Sequence, residues 1–254
     1  MPFGSCVGCS KKRYSTPRRV GVLQIDYEYP PLKGDVDHKD SFGYDVIYEK
    51  IPGLTFQRAQ LGEWSDELAY DTRVALRRLE KAGCIGITGD CGFMMAYQIR
   101  IRRMTNLPVF MSSLLQAPIA AASFQADEKI AILTANSKTL GDNLGNLLTS
   151  FGIHVDPARF VVIGCETVIG FDAVEKGKRI DYKLVSKGIL EHLKQYCIRD
   201  EKIKCVLMEC TEMPVYADLI RKDTGMPVFD AITMIDFYYS TMSNNTRFGA
   251  KQWY

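Results

Sequence analysis

The sequence predicts an α/β protein of two pseudo-symmetric lobes, each a parallel sheet flanked by helices, with the active site in the cleft between them. Three observations carry this expectation. Short apolar runs alternate with amphipathic stretches of helical length, the pattern of parallel sheets covered on both faces. Two of these runs, Val20-Gly21-Val22-Leu23 and Ile130-Ala131-Ile132-Leu133, open units of similar layout. Within each unit a cysteine, Cys91 or Cys210, follows an apolar run and one carboxylate, Asp90 or Glu209.

Taken in order, the first unit reads as a strand at 19–25, a long irregular loop, a strand at 45–49, a helix at 64–82, a strand at 84–88, a helix at 92–103 and a strand at 108–111. The second reads as a strand at 130–135, a helix at 138–151, a strand at 159–164, a helix at 180–197 and a strand at 203–208. A helix at 214–223, a strand at 227–229 and a terminal helix at 231–242 complete it. The expected organisation is a basic, flexible segment over 1–17, a first lobe over 18–126 completed by the C-terminal helix within 231–254, and a second lobe over 127–230. The loop from Asp26 to Gly43 carries Tyr27, Tyr29, Asp35 and Asp37 and is long enough to be a binding loop.

Composition narrows the function. The 254 residues are 46% hydrophobic and 24% charged, ordinary for a folded globular protein. A net charge of +2 lacks the basic excess of a dedicated nucleic-acid binder. Neither a signal peptide nor a membrane span is expected: the opening residues have no apolar core, and the apolar region from Leu107 to Ala122 is interrupted by Pro108, Ser112, Ser113, Gln116 and Pro118. Eight cysteines without an export signal suggest free thiols in a reducing, cytoplasmic setting. Cys6 and Cys9 form an isolated Cys-x-x-Cys, and His38, His154 and His192 show no ligand spacing, so no metal is expected. No dinucleotide, P-loop or nucleophile-elbow motif is present.

Both special cysteines stand at the C-terminal end of an expected strand, the edge where open α/β sheets bind ligands. With a substrate carbon between them at about 3 to 3.5 Å from each sulfur, one thiolate could remove a proton while the opposite thiol returns one. Expected helix starts after each cysteine would lower its pKa, whereas Asp90 and Glu209 would raise it. A substrate ammonium group is expected to offset the carboxylates.

At these residues the chain resembles the aspartate/glutamate racemase superfamily of cofactor-independent, two-lobed enzymes with one catalytic cysteine per lobe. Cys210-Thr211-Glu212-Met213-Pro214 is similar to that family's second motif. Cys91-Gly92-Phe93 stands where the family often has Cys-Asn-Thr, and Leu133-Thr134-Ala135-Asn136-Ser137-Lys138-Thr139 resembles its anion-holding turn. The resemblance implies a PLP-independent amino-acid racemase, an isomerase with Cys91 and Cys210 as catalytic pair, no cofactor, a small carboxylate or amino-acid substrate, and a possible homodimer. Gln24, Thr88, Gly92, Thr134, Asn136, Thr211 and Glu212 are the candidate substrate contacts, Asn136 having simple N-capping as its alternative role. Maleate isomerase-like, hydantoin racemase-like and arylmalonate decarboxylase-like activities, or a catalytically silent small-acid-binding protein, remain open on the same scaffold.

Overall fold

A computed structural model describes residues 18–243; the basic segment 1–17, Cys6, Cys9 and the residues after 243 lie outside them. Strands β1 (Arg19–Gln24) and β2 (Asp45–Lys50), helices α1 (Phe56–Leu61) and α2 (Asp66–Lys81), strand β3 (Cys84–Gly89), and helices α3 (Gln98–Arg102) and α4 (Ala117–Ala122) come first. They are followed by β4 (Lys129–Thr134), α5 (Ser137–Gly141), α6 (Leu144–Ser150), β5 (Phe160–Gly164), α7 (Tyr182–Arg199) and β6 (Ile203–Met208). Helix α8 (Ala217–Thr224), strand β7 (Val228–Phe229) and helix α9 (Ala231–Met242) end the described chain.

The strands form two all-parallel sheets, ordered β2-β1-β3 and β5-β4-β6-β7. In each, the opening strand is central, flanked by the second and third strands of its own unit. Each central strand also carries a register shift in the same place, between Arg19 and Val20 and between Lys129 and Ile130. The α/β architecture expected from the apolar periodicity is therefore present. Because chain connections leave each central strand on both sides, the crevice for a ligand opens at the carboxyl ends of β1, β3, β4 and β6.

Local chemistry explains the elements. Helix α2 starts at Ser65, whose hydroxyl accepts from Leu68 N at 3.2 Å, an arrangement contributing about 1 kcal/mol. It buries Leu68, Thr72, Ala75, Leu76 and Leu79 along one stripe. Helix α9 begins in a reciprocal cap between Asp230 and Thr233 and packs Ala231, Met234 and Ile235 with Val20, Val22 and Phe110, against the first sheet.

Three expected elements differ. Residues 108–111 make one bridge to β3, Ile87 with Val109, and no strand. The side chain of Gln98 donates to Val109 O (2.8 Å) and accepts from Met111 N (2.9 Å), while Thr88 Oγ1 donates to Phe110 O (2.8 Å). Side chains thus satisfy the polar groups that a ladder would otherwise use. The helix expected over 92–103 opens as a 3₁₀ turn, Gly92–Tyr97, because Gly92, Phe93, Met94 and Met95 are all buried and a one-faced α-helix cannot bury four successive residues. The helix expected over 138–151 is divided into α5 and α6 by Asp142 and Asn143, just after Gly141, where helix propensity is lowest. Periodicity also passed over the short helices α1 and α4.

Candidate active site

The two cysteine-bearing turns meet. Cys91 follows β3 and Cys210 follows β6, and both are buried, at 6% and 7% exposure. Asp90 N donates to Leu23 O (3.2 Å) and Glu209 N donates to Leu133 O (2.8 Å), so each turn is anchored to the end of its sheet's central strand. The turns are then joined to one another, since Thr211 Oγ1 donates to the Asp90 carbonyl. Gly92 lies directly against Glu209: a Cβ built there would fall far inside contact distance of both the Glu209 carbonyl and its Oε1. The glycine that replaces the racemase family's Asn therefore has a steric reason to be present, the close approach of the turn that carries the other thiol.

Around the thiols lies a group of carboxylates: Asp35, Asp37, Asp90, Glu209 and Glu212. Asp90 accepts from Ile25 N through both oxygens (3.0 and 3.1 Å), and Glu209 Oε2 accepts from Thr134 Oγ1 (2.9 Å). Asp37 accepts from Gln24 Nε2 (2.7 Å) and Asp35 from Tyr29 OH (2.6 Å). Cys210 Sγ donates to Glu212 Oε2 at 3.6 Å. Among the described residues, none of the hydrogen-bond partners of these groups is a Lys, Arg or His side chain, and Glu209 Oε1 is buried with no partner.

Burial without a counter-charge raises every one of these acids. Asp35 is pushed up to about 7 by desolvation and then by Asp37, and Glu209 to about 7 by desolvation, against the hydrogen bond from Thr134. Desolvation also raises Asp37, Asp90 and Glu212, Asp37 being the next cause at Asp90 and Asp35 at Glu212. Both thiols stand well above the ordinary cysteine range, Cys91 through burial and then Asp90, Cys210 through burial and then Glu212. This corrects the expectation that helix starts lower the thiol pKa: each cysteine precedes a 3₁₀ turn, and the short dipole is outweighed by desolvation and adjacent carboxylates.

The sign of this arrangement for stability is definite. Above the usual glutamate range the folded protein keeps a proton on Glu209 that the unfolded chain releases, so its contribution falls as pH rises from about 4.5 to about 7. A shift of this size corresponds to roughly 3 kcal/mol. Glu209→Gln, which retains an acceptor for Thr134, should gain on the wild type by an amount of this order between about pH 5 and pH 8. Denaturant midpoints of the two proteins across that range test it, and parallel pH dependences would refute it.

The candidate residues of the sequence fall into three groups. Cys91, Gly92, Cys210, Thr211, Glu212, Thr134 and Gln24 are brought together at the meeting of the two turns. Asn136 caps α5, accepting from Thr139 N (3.0 Å), and also donates to Gln60 Oε1 (3.3 Å), which makes it a bridge between the two halves. Thr88 stands apart, fully buried, its hydroxyl engaged by Phe110 O. The loop from Asp26 supplies more than position along the chain suggested. Its Val36 N donates to Thr211 O (3.2 Å), Tyr27 and Tyr29 stack at 6.0 Å, and the Tyr27 hydroxyl, which donates to Val174 O, accepts from Gly177 N (2.6 Å). Asp35, Asp37 and Gln60 join the candidate residues only in the folded chain; the pairing of Tyr with Asp in an overlong loop is the sequence signal for the first two, and Gln60 has none.

A cleft of about 150 Å³ leads in from solvent, lined by Phe56, Gln60, Asn136, Glu166, Phe171 and Glu212 among others. Glu212 is thus both a wall of the cleft and the partner of Cys210.

No protein-family model matches the chain. A dimethylsulfoniopropionate lyase of Durusdinium sp. clade D is 41% identical over 236 residues, covering 92% of this chain and 78% of that protein. The chain belongs to the dimethylsulfoniopropionate lyase family. Dimethylsulfoniopropionate lyase 5 of Emiliania huxleyi is 47% identical over 236 residues, 91% of this chain and 46% of that protein. Dimethylsulfoniopropionate lyase 3 of the same organism is 41% identical and 62% covered, so the chain spans about half to two thirds of these relatives.

Among solved structures, allantoin racemase from Klebsiella pneumoniae (TM-score 0.57, 14% identity) covers 91% of this chain and is itself 91% covered. Unliganded arylmalonate decarboxylase (0.57, 14%; 91% and 94%) and an aspartate racemase homologue from Pyrococcus horikoshii (0.56, 15%; 89% and 100%) are similarly close. The resemblance to the racemase superfamily holds for the fold. The expectation of an amino-acid racemase, with its isomerase chemistry and place in amino-acid metabolism, is overturned by the dimethylsulfoniopropionate lyase relatives. The fold is racemase-like while the relatives are lyases, so the motif around each cysteine marks the scaffold and not the reaction.

Proposed function

We propose that the chain is a lyase acting on dimethylsulfoniopropionate or a closely similar β-sulfonio carboxylate. The observation that carries this reading is the set of buried carboxylates around two thiols with no cationic partner among the described residues. Such a site is incomplete until a cation enters it. A sulfonium centre supplies that charge, and the rings of Tyr27, Tyr29 and Phe56, with centroids 6.0 and 6.4 Å apart, offer faces to its methyl groups.

The reaction then follows from electron flow. A thiolate removes the proton next to the carboxylate, the C–H pair becomes the new double bond, and the C–S pair leaves on sulfur. The products are dimethyl sulfide and acrylate. A sulfonium departs as a neutral sulfide and needs no proton from the enzyme, so the reaction requires one base where racemisation requires two opposed thiols. Cys210 donates to a carboxylate, Glu212, whereas no such hydrogen bond is found for Cys91 among the described residues; this supports Cys210 as the base. Cys91 then serves as a protonated wall of the site.

The test is incubation of the purified chain with dimethylsulfoniopropionate, followed by headspace detection of dimethyl sulfide and quantification of acrylate. Formation of both in equal amounts is expected; neither product, with the protein folded, would sink the proposal. A pH dependence follows as well. Cation binding requires ionised carboxylates, and their pKa values are raised, so kcat/KM should climb as pH increases through about 7 and continue upward as the thiol ionises. A rate profile that declines above neutrality would contradict the charge assignment.

A further inference from the structure

Sulfonium elimination differs from racemisation in its proton balance. A racemase removes one proton and delivers one, so the protein gains no net proton over a cycle. Elimination converts a zwitterion into a neutral sulfide and an acrylate anion, and leaves one proton on the enzyme at every turnover. That proton must reach solvent before the base can act again. An enzyme whose base is a buried thiol therefore needs a route by which that proton leaves.

We infer that Glu212 is this outlet: it receives the proton from Cys210 and passes it to water in the adjoining cleft, acting on the reaction through the thiol. The inference rests on the lyase reading above and on three features of this chain. Cys210 Sγ donates to Glu212 Oε2 at 3.6 Å. Cys210 is 7% exposed and is absent from the walls of the cleft, whereas Glu212 is only partly buried and forms part of them. The other carboxylates near the thiols do not connect base to solvent in this way. Glu209 and Asp90 are buried, at 0% and 7% exposure, and are held by Thr134 and by Ile25 N. Glu212 is thus the group that both touches the base and faces the way out.

The steps balance. The Cα–H bond breaks and its pair forms the double bond; the Cβ–S bond breaks and its pair stays on the departing sulfide; the proton binds Cys210 sulfur. Transfer of that proton to Glu212 Oε2 regenerates the thiolate, and release of the proton to water from Glu212 returns the site to its starting state. No oxidant or further reactant takes part.

Chemical rescue separates the outlet from a structural role. In the Glu212→Gln enzyme the first and later turnovers should all be slowed about 100-fold or more, the scale of a lost proton-transfer group, because the resting thiol that donates to Glu212 must also lose its proton before it acts as base. Imidazole, small enough for the cleft, should accelerate the variant in proportion to its concentration at fixed pH, while the wild type is indifferent to it. Glu212→Asp, which keeps a carboxylate at greater distance, should lie between the two and also respond to imidazole. Steady turnover of Glu212→Gln within threefold of wild type overturns the inference, as does a uniformly slow variant of either kind that imidazole does not accelerate. Should Glu212→Gln fail to fold, the imidazole response of Glu212→Asp decides the matter alone. Absence of acrylate from the wild type itself would instead remove the lyase reading, so the two failures are distinct.

Discussion

Replacing Cys210 by alanine is expected to reduce kcat/KM for dimethylsulfoniopropionate by about 10³-fold or more, with the fold retained. The residue lies at the end of β6 in a turn held by backbone bonds, Glu209 N to Leu133 O and Met213 N to Cys210 O (3.3 Å), none of which uses the sulfur. Removing the sulfur leaves a small void beside Glu212, costing roughly 1 kcal/mol. The chemical cost is larger, because a positioned general base contributes about 10² to 10⁴ in rate, and the thiol is the group within reach of Glu212. Serine should not rescue the activity, since its hydroxyl is a far weaker acid than a thiol in the same dry surroundings.

Cys91→Ala should be milder, retaining about a tenth of the activity or more, as its thiol has no acceptor and elimination needs no second proton donor. Steady-state kinetics of the three variants, with circular dichroism to verify folding, tests the asymmetry. Equal and complete loss at both cysteines would mean that the reaction uses two opposed thiols after all.

Gly92→Ala is expected to be the most damaging single-methyl change in the described chain. The added carbon would overlap the Glu209 carbonyl and Oε1. The first of these is backbone, anchored by Glu209 N to Leu133 O at 2.8 Å, and it cannot swing aside as a side chain does. The two turns must therefore move apart, straining the Thr211 to Asp90 bond and widening the space between the thiols. Overpacking of this kind costs about 1 to 3 kcal/mol, and a displacement of about 1 Å at reacting groups costs about 100-fold in rate. Gly43→Ala is the control, since a Cβ there meets nothing within 4 Å. Thermal unfolding and activity of the two variants should diverge sharply; matching behaviour would show that the turns are not in forced contact.

Apolar runs ending in Thr88-Gly89-Asp90-Cys91 and Met208-Glu209-Cys210 announce strands that finish at a ligand edge, because a strand buried on both faces must be apolar throughout. Repetition of that pattern gave the second sheet from the first. The motif around Cys210, however, belongs to a scaffold shared by enzymes of different chemistry, so it pointed to racemisation when the relatives are lyases. The charge around the thiols is not legible in that motif, because Asp35 and Asp37 come from a loop far from either cysteine in the chain.

The amino-acid order alone determined the parallel-strand architecture, the repeated unit and the two cysteines at strand ends, since these depend on periodicity and on short-range neighbours. Only the folded chain decided that Gly92 faces Glu209, that Tyr29, Asp35 and Asp37 join Asp90 and Glu212 around the thiols, and that Glu212 stands between Cys210 and the cleft. The physical reason is that desolvation and charge depend on distance through space. A carboxylate is ordinary on a surface loop and becomes a demand for a cation when tertiary packing removes its water and gives it no positive partner.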